Sequence, residues 1–81
     1  DLLPLDIIEE VVRVLTFGAK KYKEHNWQKV ENGKMRYFAA CFRHLTSWSK
    51  GEDVDSETGC SHLAHAICSL IFVMWHHKNS N

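Results

Sequence analysis

CSHLAHAICSLIFVMWHH, residues 60–77, is the stretch that decides the fold class. Leu63, Ile67, Leu70 and Met74 fall at steps of three and four, the spacing that lines one face of an α-helix. His62, His65, Ser69, Phe72 and His76 repeat along a second stripe at the same period. The alternation a strand needs is absent, so the run predicts a helix over Cys60–His77.

Working upstream, the polar run GEDVDSETG (residues 51–59) predicts a loop, and Gly51 is placed to stop a helix before it. That helix is predicted over Lys34–Lys50, with Met35, Phe38, Phe42 and Leu45 as its apolar stripe. Residues 18–33, GAKKYKEHNWQKVENG, lack a period and end in Asn-Gly, which predicts a short turn plus a loop. A first helix is predicted over Pro4–Phe17. Pro4 suits a first turn, Asp6, Glu9 and Glu10 complement the dipole, and Leu5, Ile8, Val12 and Leu15 form a stripe widened by Ile7, Val11 and Val14. The expected architecture is all-α: a small helical bundle of three main helices forming a single domain over residues 1–81.

At 81 residues and 44% hydrophobic, the chain is too apolar for disorder and short for a self-sufficient core. Some apolar surface is therefore expected to be covered by a second copy. Ten basic and ten acidic residues cancel, which gives no general pull toward nucleic acid or membrane. Three cysteines (Cys41, Cys60, Cys68) without C-x-x-C spacing argue against a disulfide framework or a zinc finger and for a reducing interior. Cys41 and Cys68 read as small core residues. No signal-peptide pattern is present, and the apolar run Leu70–Trp75 is too short to span a bilayer. The sequence begins with Asp1 rather than Met, so a few residues are expected upstream.

Chemistry concentrates around the 51–59 loop. Glu52, Asp53, Asp55 and Glu57 offer hard oxygen ligands, and His62 and His65, three apart on a helix, can converge on one ligand. The plainer reading is a solvated acidic loop beside packed histidines, and on spacing alone it has the edge. Arg43 is a natural phosphate partner, and His44 with Trp48 could line a base pocket; an ordinary helix with a core Trp and a surface ion pair explains them equally well. Lys20, Lys21, Asn26 and Trp27 could meet phosphates or a base, or simply close a helix C-terminus.

In order along the chain, D-L-L-P (1–4), V-L-T-F-G-A-K-K-Y (14–22), N-W (26–27), R-H-L-x-x-W-x-x-G-E-D-x-D-x-E-x-G (43–59) and H-L-A-H-A (62–66) resemble the phage dATP/dGTP diphosphohydrolase N-terminal family. That family is related to the MazG-like all-α nucleotide pyrophosphohydrolases. The resemblance covers Asp1 to about Phe72. It implies metal-dependent hydrolysis of a purine deoxynucleoside triphosphate to monophosphate and pyrophosphate, with Mg2+ or Mn2+, in a homodimer or homotetramer, in the host cytoplasm. MazG-like enzymes carry E-E-x-x-E on one helix and E-x-x-D on the next. Here His62-Leu63-Ala64-His65 stands in the second place and the Arg43-His44 helix in the first, so manganese or another transition metal is favoured over magnesium. The expected metal and catalytic residues are Glu52, Asp55, His62 and His65, with Asp53 weaker. Lys20, Lys21 and Arg43 are the phosphate candidates, and Asn26, Trp27 and His44 the nucleotide-pocket candidates. The rival reading is a non-catalytic helical nucleotide-binding or oligomerisation module. A His-Asp phosphohydrolase ranks below both, because no adjacent His-Asp pair occurs.

Overall fold

The computed structural model describes residues 2–80; Asp1, which opens the quoted D-L-L-P run, lies outside them. Three helices make up the domain, α1 (Leu5–Lys21), α2 (Gly33–Ser49) and α3 (His62–Lys78), with a 3-10 turn at Asn26–Lys29. Among the described residues there is no strand, only an isolated antiparallel bridge between Val54 and Ser61. The chain is an all-α bundle, as the periodicities predict. α3 packs against both other helices, most extensively against α2.

The ends of the helices differ from those the periodicity predicts, and local chemistry accounts for each. α1 continues through Gly18 to Lys21, and the Tyr22 N–H closes it on the Gly18 carbonyl at 2.9 Å. A single interior glycine costs only about 1 kcal/mol against alanine, and Ala19, Lys20 and Lys21 restore helix propensity while the lysines complement the dipole. α3 begins at His62 rather than Cys60, because Ser61 is its N-cap: Ser61 Oγ accepts from the Leu63 and Ala64 amides at 3.1 and 3.2 Å. At the start of α2, Asn32 takes a left-handed conformation and Gly33 comes to lie beneath the His76 imidazole, which a Cβ there would strike. Glycine at this point lets the N-terminus of α2 close on the C-terminal half of α3.

The large apolar stripes of α2 and α3 do not face the core. Met35, Phe38, Phe42 and Leu45 on α2, and Leu63, Ile67, Leu70 and Met74 on α3, are all exposed, Phe42 by 56% and Met74 by 64%. Trp48, which the plainer reading placed in the core, is also exposed. What α3 buries is its small-residue and histidine side: His62, Ala64, Ala66, Cys68 and Ser69. The core joins Val11 and Val14 of α1 to Cys60, Ala64 and Cys68, with Leu15 and Phe72 packed against them. Small side chains at a crossing let two helix backbones approach closely, whereas bulky ones hold them apart. On α1, too, the residues that only widened the stripe, Val11 and Val14, are the buried ones.

A second cluster ties the 18–33 segment down. The Trp27 ring stacks on Phe72 with centroids 4.4 Å apart and meets Trp75 edge-on at 5.3 Å, while Tyr37 meets Phe72 edge-on at 4.8 Å. The Trp27 carbonyl lies 2.8 Å from His76 Nε2, which donates to it. All three cysteines are buried and unpaired, which agrees with the absence of a disulfide framework. No helix of the described residues is long and apolar enough to cross a membrane.

Candidate metal centre and nucleotide cleft

The acidic loop is pinned at both ends. At the C-terminus of α2, Gly51 adopts φ +94, the Gly51 N–H reaches the Trp48 carbonyl at 3.0 Å, and the Glu52 N–H reaches that of Ser47 at 3.1 Å. This paired closure needs a left-handed residue, which glycine supplies without strain, and it fixes where Glu52 emerges. At the other end the Asp55 amide donates to the Cys60 carbonyl at 2.8 Å and the His62 amide to the Asp53 carbonyl at 2.9 Å. Asp55 Oδ1 accepts from the Glu57 and Thr58 amides, both at 2.9 Å, so its carboxylate organises the turn. The loop is therefore a built feature rather than a freely solvated one.

Three side chains from three segments converge behind it. His44 of α2, Asp55 of the loop and His62 of α3 present ligand atoms that all lie within 4.8 Å of one another, the one such group of three among the described residues. His62 is only 4% exposed. Its Nδ1 stands 2.8 Å from His44 Nδ1, and its Nε2 stands 3.1 Å from Glu52 Oε1. His65 stacks flat on His44, with centroids 4.3 Å apart and planes 8° from parallel, and its Nε2 bonds Thr58 Oγ1 at 2.7 Å.

Burial pushes the His44 imidazole down to about 4, helped by neighbouring His65 and His62. Burial likewise lowers His65, against the pull of the Asp55 carboxylate. Burial alone would raise the Asp55 carboxyl, but the Thr58 and Glu57 amides, with His65 and His44 nearby, hold it below its usual value. Near neutral pH, then, His44 and His65 are uncharged and Asp55 is ionised. Those are the protonation states in which these groups bind cations.

Of the four residues expected at the metal, Asp55 and His62 lie in the cluster. Glu52 stands behind His62, and His65 lies against His44 with its Nε2 on Thr58. His44, expected in the nucleotide pocket, is brought to the cluster instead. Asp53 contributes its backbone carbonyl to α3, and its side chain is exposed.

Beside the cluster a cleft of about 970 Å³ opens between the C-terminal end of α1, the 3-10 turn and the α2–α3 pair. His65 and Thr58 stand at its edge, Trp27, Tyr37 and Phe72 give it aromatic walls, and Arg36 adds a cation. Lys21, Asn26 and Trp27 line this cleft as expected phosphate and nucleotide residues would, although Lys21 also pairs with Glu57 at 2.8 Å on the surface. Lys20 borders a separate hollow of about 200 Å³ beside Arg13 and Thr16. Arg43 is exposed and makes no ion pair among the described residues. Sequence reasoning missed Arg36, Tyr37 and Thr58. Only Thr58 left a signal, as a hydroxyl in the loop seven residues before His65; nothing in the pattern around Arg36 and Tyr37 marks them.

The sequence profile described as dATP/dGTP diphosphohydrolase, N-terminal, matches residues 1–81. A dATP/dGTP diphosphohydrolase of Salmonella phage PMBT28 is 43% identical over 79 residues, which covers 89% of this chain and 26% of that protein. The chain thus spans about a quarter of the length of this curated relative. No solved structure matches it. With the profile running from the first residue to the last, the chain belongs to the dATP/dGTP diphosphohydrolase N-terminal family.

Proposed function

We propose that the chain hydrolyses a purine deoxynucleoside triphosphate, dATP or dGTP, to the monophosphate and pyrophosphate with the help of a divalent cation. The observation that carries this reading is the adjacency of the aromatic and cationic cleft to the His44–Asp55–His62 cluster, with His65 and Thr58 at the boundary. A cleft near 970 Å³ lies at the upper end of the range of small-molecule sites, which suits a nucleotide. Trp27, Tyr37 and Phe72 offer faces for a purine, and Lys21 and Arg36 offer charge to phosphate oxygens. A divalent cation would neutralise phosphate oxygens and acidify a bound water. The activity for which the Salmonella phage relative is named supports the substrate class.

The test is direct. Purified chain is incubated with dATP or dGTP and Mg2+, Mn2+, Co2+ or Zn2+, and products are separated by ion-exchange chromatography. Monophosphate and pyrophosphate in equal amounts are expected. Bound but unchanged nucleotide with every metal would turn the assignment to a non-catalytic nucleotide-binding module.

We also propose that a second copy covers the exposed stripes of α2 and α3, giving a homodimer or homotetramer. Apolar stripes running along two helices are unusual on a monomer's surface. Light scattering at tens of micromolar chain should report a dimer or larger, and Phe42→Glu with Leu70→Glu should give monomers. A wild-type chain that scatters as a monomer would end this proposal.

A further inference from the structure

The MazG-like relatives hold their metal with carboxylates on two helices, and the residues that converge here do not form such an all-oxygen site. Mg2+ demands oxygen ligands in near-octahedral array, and here two of the three converging donors are imidazole nitrogens. We propose that His44, Asp55 and His62 form a binding site for a first-row transition ion or zinc (Co2+, Zn2+ or Mn2+) in preference to Mg2+, with Glu52 as the residue that orients His62. The proposal deepens the hydrolase reading by naming the ion class and the ligand set, and it replaces Glu52 and His65 as direct ligands.

Four observations carry it. First, the donor set of two imidazoles and one carboxylate matches the preference of first-row transition ions and zinc. Second, Glu52 Oε1 stands 3.1 Å from His62 Nε2. An ionised carboxylate only accepts, so Nε2 carries the proton and Nδ1 keeps its lone pair directed at His44. This carboxylate–imidazole relay is the usual partner arrangement behind a metal-bound histidine. Third, the two Nδ1 atoms are 2.8 Å apart, close to the roughly 3 Å separation of two nitrogens held by one ion with bonds of about 2.0–2.1 Å. Without an ion, His44 Nδ1 donates its proton to His62 Nδ1; an ion would take both lone pairs, with that proton moving to His44 Nε2. Fourth, both amides that Asp55 accepts go to Oδ1, and no donor meets Oδ2 among the described residues.

His65 lies outside the group of converging ligand atoms; its Nε2 is on Thr58 Oγ1 and its face lies on His44. It is left as the group that faces the cleft. The three ligands come from α2, the loop and α3, so the ion would tie together the two helices that pack most closely.

The experiment uses the full chain, stripped of metal with a chelator and titrated with Co2+ without nucleotide. A visible d–d absorption saturating at one equivalent per chain is expected, and millimolar Mg2+ should leave it unchanged. His44→Gln should weaken Co2+ at least about a hundredfold, and Glu52→Gln by about 10–100-fold, as for other residues that orient a metal-bound histidine. Because His62 is buried and its variants can unfold, a second measurement uses wild-type chain only. Zn2+ should shift the side-chain nitrogen resonances of His44 and His62 and leave those of exposed His77 in place. Absence of Co2+ absorption, displacement by equimolar Mg2+, or Zn2+ shifts confined to His77 would each overturn the site. Ion binding at the histidines without nucleotide hydrolysis would leave this inference standing and end the hydrolase reading. Hydrolysis supported by Mg2+ with the histidine resonances unmoved would do the reverse.

Discussion

A His62→Ala chain is expected to hydrolyse dATP or dGTP about a thousandfold more slowly than wild type, a loss of about 4 kcal/mol at the transition state. The variant removes a nitrogen of the proposed ion site and leaves Glu52 and His44 without the partner each has at 3.1 and 2.8 Å. Steady-state pyrophosphate release measures it, with circular dichroism to establish that α3 persists. His77→Ala, on the exposed end of the same helix, should retain full activity. Equal activity in His62→Ala and wild type would remove the cluster from the reaction altogether.

Trp27→Ala is expected to lower stability by about 3 kcal/mol, or roughly 12–24 °C in Tm for a domain of this size. The ring stacks on Phe72 and meets Trp75 edge-on, and these contacts hold the segment between α1 and α2 against α3. Aromatic pairs of this kind add about 0.5–1.5 kcal/mol beyond the area they bury. Calorimetry of the metal-free chain without nucleotide isolates this effect. If Trp27 serves only to contact a nucleotide, Tm will not move and only nucleotide affinity will fall. Both changes together would mean that the same ring builds the cleft and lines it.

These two residues show where sequence reasoning reached and where it stopped. His62 stood out because a histidine one turn from another, just after an acidic loop, is a local pattern. Trp27 stood out as a nucleotide candidate, yet its most direct contacts are with Phe72 and Trp75, 45 and 48 positions away in the chain. Spacing within α2 points His44 to a base pocket, because Trp48 follows it by one helical turn. Its place in the cluster depends on α2 lying beside α3, which no spacing within α2 encodes.

Local patterns along the chain suffice to place three helices, the stop at Gly51 and the acidic loop between α2 and α3. Helix periodicity and end signals act within a few residues, so they are written locally. Which face of each helix turns inward was decided only by tertiary structure. Periodicity marks faces, but a crossing is set by which side chains let the backbones approach. Here that was the side carrying Ala64, Cys68 and Ser69, with His62 beside them. That choice turned the bulky stripes outward and drew His44, Asp55 and His62 to a common point.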